Sequence, residues 1–271
     1  MSPAPLHISS PANPRIKALR ELRRRRVREA TGSTLVEGYE ELQIALAGGV
    51  RPRELYLCEE LMADPAAQQD VVASATQRGA DIVTLSRAVF EKAAYREGPD
   101  GFLAVVPTPG VALADLPQPD GPGLYVVAEH LEKPGNLGAI LRTADAAGVD
   151  AVIAADPVTD WGNPNVVRGS KGTVFSVPVA TAPTPEVLDF LAGRGMTLVA
   201  TTPHTEVLHT QVDLTGPVAI AVGAEKTGLT ASALEGATHR VRIPMVGRAN
   251  SLNVATSAAI VVYEAVRQRL G

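Results

Sequence analysis

Arg242-Ile243-Pro244-Met245 and Asn250-Ser251-Leu252-Asn253-Val254-Ala255 stand close together near the carboxyl end of the chain, just before a long amphipathic stretch. Two other polar segments are like them in that each follows an apolar run. They are Lys133-Pro134-Gly135-Asn136-Leu137-Gly138, with Arg142 close behind, and Gly223-Ala224-Glu225-Lys226-Thr227-Gly228. Loops that follow parallel strands gather at one edge of a sheet, where clefts form. The three segments therefore predict a binding cleft at that edge.

The carboxyl-terminal part of the chain alternates apolar runs with amphipathic stretches. Near-continuous Val, Ala and Ile runs are typical of strands that are covered on both faces in a parallel sheet. The predicted strands are Leu124–Ala128, Ala151–Ala155, Val174–Val179, Thr197–Thr201, Val218–Val222 and Arg240–Ile243. The predicted helices are Leu137–Ala147, Pro185–Gly193, Thr230–Glu235 and a last helix from about Ser251, where Ser or Asn can act as the cap.

The first hundred residues predict a smaller α/β unit of alternating helices and short strands. Its strands are Ser33–Val36, Glu54–Cys58, Asp81–Leu85 and Phe102–Val106, and its helices are Pro14–Ala30, Glu40–Ala47 and Ala66–Arg78. Seven Pro and Gly residues fall between positions 107 and 122, too many for a helix or a central strand. We therefore predict a domain over 1–106, a linker over 107–122 and a second domain over 123–271.

The composition favours a globular, soluble protein, with 45% hydrophobic and 20% charged residues among 271. No apolar run approaches the roughly 20 residues that span a bilayer, and the amino terminus lacks the apolar region of a signal peptide. The single cysteine, Cys58, predicts a reducing cytoplasm and no internal disulfide. The five histidines have no metal-ligand spacing, so no metal site is expected.

A basic segment lies near the amino terminus although the net charge of the chain is −4. Between Arg15 and Arg28 there are eight basic residues and one acidic residue, Glu21, which gives 8 − 1 = +7. The placement of charge, more than its sum, decides attraction to phosphates. The segment predicts nucleic-acid binding, and the alternative is a solvated helix face.

The first polar loop places Gly135, Asn136 and Gly138 at a predicted helix start, with Arg142 six residues after Asn136 and near the same face. Exposed backbone N–H groups and amide donors at such a turn favour anionic groups. The alternative is an ordinary strand–helix turn with a surface arginine.

The second and third loops lack the spacing of nucleotide-binding motifs. The Lys226-Thr227 pair does not fit the Gly-x4-Gly-Lys-Ser/Thr pattern, so a triphosphate site is excluded. Met245 offers a soft apolar surface for a ring, and Ser251 and Asn253 offer small polar groups. The alternatives are a tight turn with a solvated Glu-Lys pair, and two residues that merely cap a helix.

Together the three segments closely resemble the motifs of the SpoU (TrmH-like) branch of the SPOUT superfamily. Its members are RNA ribose 2′-O-methyltransferases that use S-adenosylmethionine. Val167–Gly172, followed by Phe175-Ser176-Val177-Pro178, resembles a further segment of the family. Asn13–Lys17 and Leu35–Gly38 resemble the family's substrate-binding domain, which is similar to ribosomal proteins of the L30e type.

The resemblance implies a role for each matching residue. Adenosine would lie among Thr201, Gly223, Ile243, Met245 and Leu252. Asn136, Glu225, Ser251 and Asn253 would position the ribose and Arg142. Arginine is effectively always protonated, so we expect Arg142 to clamp a phosphate and stabilise developing alkoxide charge, although a role as base stays open. RNA contacts are expected from Arg15, Lys17, Arg23, Arg24, Arg25, Arg26 and Arg168.

The same resemblance implies a parallel α/β catalytic domain with a deep trefoil knot, after a smaller L30e-like α/β domain. It also implies a homodimer, with the small residues of the last helix as a plausible interface. The separate first domain favours 23S rRNA as substrate. A tRNA-directed enzyme and a non-catalytic RNA-binding assembly factor are the alternatives. The nucleotide, and whether it serves antibiotic resistance, stay open.

Overall fold

A computed structural model describes residues 6–248 and 250–271, and the described chain forms two compact units. The first consists of residues 6–109 with Asp160–Ser176, and the second of Gly110–Thr159 with Val177–Gly271. Thus the segment 160–176 packs with the first unit, whereas the sequence pattern grouped it with the second domain.

The first unit is built on a mixed five-stranded sheet in the order β1-β4-β3-β5-β2. Its strands are β1 Leu6–Ile8, β2 Ser33–Glu37, β3 Glu54–Leu57, β4 Asp81–Leu85 and β5 Phe102–Pro107. Its helices are α1 Pro14–Glu21, α2 Arg25–Thr31, α3 Tyr39–Ala47, α4 Gln69–Gln77, α5 Arg87–Ala93 and, from the later segment, α7 Pro164–Gly169. β5 runs antiparallel to both β2 and β3, whereas β4 is parallel to β1 and β3.

The second unit contains a six-stranded sheet in the order β11-β9-β10-β6-β7-β8, and every neighbouring pair is parallel. Its strands are β6 Leu124–Glu129, β7 Ala151–Ala155, β8 Val179–Ala182, β9 Thr197–Thr201, β10 Val218–Val222 and β11 His239–Val241. Its helices are α6 Pro134–Ala147, α8 Thr184–Gly193, α9 Ala231–Glu235 and α10 Val254–Arg269. The buried runs in β6, β7 and β10 confirm the prediction of a parallel sheet that is covered on both faces.

Two predicted elements are wrong. The basic helix over Pro14–Ala30 is interrupted, because α1 ends at Glu21 and α2 begins at Arg25. At this break the backbone carbonyls of Leu22 and Arg23 accept hydrogen bonds from the buried guanidinium of Arg28. The predicted strand Val174–Val179 is also wrong, since Thr173–Phe175 forms a 3-10 helix and the strand begins only at Val179.

Besides short 3-10 helices, the elements β1, α5 and α7 were not predicted. Each has eight residues or fewer, so none shows enough of a hydrophobic period to stand out. The last helix begins at Val254, three residues later than predicted, because the Asn253 side chain accepts hydrogen bonds from the backbone N–H groups of Ala255 and Thr256. Of the two capping candidates, Asn253 is therefore the cap.

The Pro- and Gly-rich segment predicted as a linker is partly fixed on the second unit. The Val111 N–H donates to the Val179 carbonyl over 2.9 Å, and Leu116 is buried in the core of that unit. The Arg194 guanidinium donates to the carbonyls of Leu116 and Pro117. These bonds occupy polar backbone groups in a segment that has too many prolines to form a strand.

Candidate functional site

A cavity of about 280 Å³ opens at the carboxyl edge of the parallel sheet in the second unit. It is bounded by the segments that follow β9, β10 and β11 and by the start of α10. The five residues expected to surround adenosine, Thr201, Gly223, Ile243, Met245 and Leu252, all line it. Two of the three loops that stood out in the sequence, those after β10 and before α10, thus come together at this edge.

The lining of this cavity fits an adenosine group. Val222, Leu229, Ile243 and Met245 supply apolar surface suited to a ring, and exposed loop backbone supplies polar groups. The Thr201 hydroxyl is buried at the cavity wall and has no hydrogen-bond partner among the described residues. A buried polar group without a partner costs free energy, so this hydroxyl is suited to bond a ligand.

The loop after β10 closes tightly on itself. The Gly228 N–H donates to the Ala224 carbonyl over 2.8 Å, and Gly228 has a φ of 70°, in the left-handed region. A Cβ at Gly223 would overlap the backbone carbon of Gly228 and the nitrogen of Leu229. Glycine at position 223 is therefore required for the loop to close, and not only for the approach of a ligand.

Polar side chains from three loops form a chain of hydrogen bonds beside the cavity. Lys133 and Glu225 form an ion pair through Nζ and Oε2. The Asn136 Nδ2 donates to Glu225 Oε1 over 2.5 Å, and the Asn253 Nδ2 donates to Asn136 Oδ1 over 3.1 Å. The hydrogen bonds from Lys133 and then Asn136 hold the pKa of the Glu225 carboxyl below its usual value. Three of the predicted catalytic residues, Asn136, Glu225 and Asn253, therefore contact one another.

Arg142 and Ser251, the other two predicted catalytic residues, are exposed and have no hydrogen-bond or ion-pair partner among the described residues. The sequence suggested that Arg142 lies near the same helix face as Asn136, but in the structure it does not. Both lie on the regular helix α6, where about 100° per residue turns six positions through about 240°. The Arg142 guanidinium is thus free to bind a ligand, but Asn136 does not hold it in position.

The carboxyl-terminal part of the chain matches the SpoU rRNA Methylase family over residues 123–263, more than half of its length. The chain belongs to this family. Residues 13–104 match the MRM3-like substrate binding domain. The resemblance inferred from the three motifs is thereby confirmed.

Relatives of this SpoU methylase are similar along nearly the whole chain. The 23S rRNA (guanosine(2553)-2′-O)-methyltransferase RlmP of Bacillus subtilis is 29% identical over 94% of this chain and 97% of its own. The crystal structure of an RNA 2′-O ribose methyltransferase is 44% identical, with a TM-score of 0.84 over 98% of this chain and all of its own. An AdoMet-bound rRNA methyltransferase from Sinorhizobium meliloti is 31% identical, with a TM-score of 0.89 over 98% of each chain.

Two residues of this SpoU methylase escaped the sequence prediction although they hold the site loops. Lys133 belongs to the first motif, but the motif alone predicts no role for it. Glu129, at the end of β6, is buried and accepts hydrogen bonds from the Thr230 N–H over 2.8 Å and from the hydroxyls of Thr230 and Thr184. It ties the end of the β10 loop to β6. A buried acidic residue at a strand end, directly before a polar loop, was the signal that could have identified it.

The predicted RNA-binding arginines and lysine fall into three groups. Arg23 donates to the carbonyls of Ala93 and Ala94 at the end of α5, and its guanidinium lies 5.3 Å from the centre of the Tyr95 ring. Arg15, Arg24 and Arg25 pair with surface carboxylates. The remaining three are exposed and have no ion-pair partner among residues 6–248 and 250–271: Lys17, Arg26 and Arg168. Arg168 lies at the end of α7 in the first unit.

Among the described residues, no helix is long and apolar enough to cross a membrane. Nor does that part of the chain contain a group of three or more His, Cys, Asp or Glu side chains able to hold a metal ion.

Proposed function

We propose that this SpoU methylase transfers the methyl group of S-adenosylmethionine to a ribose 2′-hydroxyl of 23S rRNA. The proposal rests on two features that lie next to each other. One is the adenosine-sized cavity, and the other is the hydrogen-bonded group of Glu225, Asn136 and Asn253. The loop after β10 contributes to both. Glu225 itself lines the cavity, so a ligand held there lies against the polar chain.

S-adenosylmethionine supplies a methyl group already activated on a sulfonium. The protein must align the ribose oxygen with that methyl group and assist the loss of the hydroxyl proton. Asn136 and Asn253 are held by their hydrogen bonds in one geometry, which suits them to orient the ribose. The free Arg142 guanidinium clamps a neighbouring phosphate and stabilises the developing alkoxide, since arginine stays protonated. Ser251, exposed at the cavity rim, is a second ribose contact.

23S rRNA is favoured over tRNA because a substrate-binding domain precedes the methylase domain in the chain. The rRNA enzyme of Bacillus subtilis is similar over both domains. A non-catalytic assembly factor is disfavoured, because the hydrogen-bonded chain from Lys133 to Asn253 is intact and no such factor needs it. A role in antibiotic resistance depends on which nucleotide is methylated.

The same proposal includes a trefoil knot in the methylase domain, an L30e-like first domain and action in the cytoplasm, where ribosomes are assembled. Support for the knot comes from the segment between β11 and α10, which contributes Ile243, Met245, Ser251 and Leu252 to the wall of the cavity. Support for the first domain comes from its mixed sheet with helices between the strands.

We also propose a homodimer through α10, but not through the residues expected from sequence. Ala255 and Ala258 are already buried, as the helix packs against α6 and β10. The surface left for a partner contains Tyr263, which lies within the helix and is 48% exposed. A large aromatic side chain that is half exposed on an amphipathic helix is typical of an interface.

The proposed function is tested with purified protein, S-adenosylmethionine carrying a labelled methyl group, and 23S rRNA transcribed in vitro. We expect one 2′-O-methyl group per transcript, mapped to a single nucleotide, and the same nucleotide unmethylated in cells without the gene. A tRNA transcript serves as the competing substrate. Methylation of tRNA alone would show that the protein is a tRNA 2′-O-methyltransferase instead. Binding of RNA without binding of S-adenosylhomocysteine would favour the assembly factor.

A further inference from the structure

Lys133 and Asn136 belong to the same connection, between β6 and α6, and they donate to opposite oxygens of one carboxylate. Lys133 pairs with Oε2 of Glu225, whereas Asn136 donates to Oε1 over 2.5 Å. The two groups therefore hold Glu225 from both sides. Lys133 does not line the cavity, so contact with the cofactor gives it no role.

The hydrogen bonds also fix which way round the Asn136 amide stands. The Asn253 Oδ1 already accepts from the Ala255 N–H over 2.9 Å, so only its Nδ2 remains to meet Asn136. An ionised carboxylate can only accept, so the Asn136 Nδ2 must face Glu225 and its Oδ1 must face Asn253. The donors thus converge on Glu225, with Lys133 on one side and Asn253 acting through Asn136 on the other.

We propose that Lys133 is a positioning residue, which holds the Glu225 carboxylate in place and thereby sets the orientation of the Asn136 amide for the ribose. The proposal rests on the function proposed above. If Glu225 became protonated it could donate, and the amide of Asn136 could then turn over and present an oxygen where an N–H is needed. Lys133 would govern the reaction without touching RNA or cofactor.

Other charged groups near Glu225 do not replace this contact. Lys226 is its neighbour in the loop, and His204, from the segment after β9, lines the same cavity. The part of the wall that comes from before α10, with Asn250, Ser251 and Leu252, carries no ionisable group. The pKa of Glu225 is lowered mainly by the hydrogen bond from Lys133 and next by that from Asn136. Removing Lys133 should therefore raise this pKa.

The test uses the full-length protein saturated with S-adenosylhomocysteine. The side-chain amide signals of Asn136 are followed by ¹⁵N–¹H NMR against pH, after assignment through their loss in Asn136→Asp. We expect their titration midpoint to move to higher pH in Lys133→Met and to return toward the wild-type value in Lys133→Arg. Lys92→Met, which removes an exposed lysine from α5, should leave it unchanged. A midpoint that is the same in Lys133→Met and wild type would overturn the proposal, whether or not the RNA substrate is the one proposed.

Methyl transfer to the 23S rRNA transcript provides the second measurement. With RNA saturating, we expect Lys133→Met to lower kcat by about 10- to 100-fold, since small misplacements of positioning groups cost that much. The acidic limb of the rate profile should move to higher pH. In a Glu225→Gln background, the Lys133→Met change should have no further effect, because both act through the same contact. An equal loss in both backgrounds, with a raised KM and a changed salt dependence, would instead make Lys133 a phosphate contact.

Discussion

Arg28 binds both carboxylate oxygens of Asp160, although the two residues are 132 positions apart in the chain. The Arg28 Nε donates to Oδ1 over 3.0 Å and one terminal nitrogen donates to Oδ2 over 2.5 Å. The other terminal nitrogen donates to the carbonyls of Leu22 and Arg23. Arg28 is 2% exposed. It therefore anchors the segment 160–176 to the first unit and closes the break between α1 and α2.

Replacing Arg28 by Met should destabilise the first unit by about 3–5 kcal/mol, because a partly buried Asp160 would lose its counter-charge. Urea unfolding followed by circular dichroism measures this change. Arg26→Met is the matched control, since Arg26 is exposed in the same helix, and its effect should stay within about 0.5 kcal/mol. Replacing Arg28 and Asp160 together should cost less than the two single changes added. Equal effects of Arg28→Met and Arg26→Met would show that the ion pair contributes little.

Arg28 also shows what the sequence alone can and cannot establish. A run of basic residues predicts, from charge alone, attraction to phosphates or a solvated helix face. Neither describes Arg23 and Arg28, whose partners lie far away in the chain. Partners at such separation depend on tertiary packing, which no local pattern contains. The parallel sheet and the gathering of three loops were predictable, because they follow from hydrophobic runs and strand direction.

Arg142→Ala should lower methyl transfer by about 10²–10³-fold, since that is the usual cost of losing one preorganised electrostatic donor. Affinity for S-adenosylhomocysteine, measured by calorimetry, should be unchanged, because Arg142 does not line the cavity. Arg142→Lys should also be poor, since an ammonium cannot reproduce the guanidinium fork. Near-normal turnover of Arg142→Ala with RNA saturating would remove this residue from the catalytic group.

Gly223→Ala should impair cofactor binding through the loop and not through lost contacts. The added Cβ would overlap the backbone of Gly228 and Leu229, so the loop must open. Such overpacking costs about 1–3 kcal/mol. If this cost applies to the ligand-bound state alone, S-adenosylhomocysteine binds about 5- to 150-fold more weakly. Gly193→Ala is the control, because a Cβ there meets nothing within 4 Å. Unchanged affinity in Gly223→Ala would mean that the loop tolerates opening.

The proposed homodimer predicts about twice the chain mass of 28.3 kDa in light scattering at micromolar concentration. Tyr263→Glu should shift the protein toward the monomer, because it introduces a charge on the exposed face of α10. Its helix content should be retained, as Tyr263 is half exposed within the chain. A monomeric wild-type protein would contradict the homodimer, and a dimeric Tyr263→Glu variant would move the interface to another surface.

The basic segment should bind the rRNA backbone through exposed arginines whose weak surface contacts a phosphate can replace. Arg24 pairs with Glu21 and Arg25 with Glu29, but exposed pairs of this kind contribute only about 0–1 kcal/mol, so phosphate can replace either carboxylate. Arg26 has no ion-pair partner among the described residues. Arg23 is left unchanged in the test, since its bonds to Ala93 and Ala94 serve the fold.

Changing Arg24, Arg25 and Arg26 together to Gln should weaken binding to a 23S rRNA fragment and reduce its salt dependence. Each phosphate contact contributes roughly −0.7 to −0.9 to the slope of log affinity against log salt, so the slope should flatten by about two to three units. Filter binding at several salt concentrations measures it. Arg87→Gln is the control, because Arg87 forms a similar exposed pair with Glu91 outside the segment. Calorimetry should find S-adenosylhomocysteine binding unchanged, because the cavity is lined only by residues of the second unit. If affinity and slope both stay at wild-type values, the three arginines form a solvated helix face, and RNA selection by the first domain must use other residues.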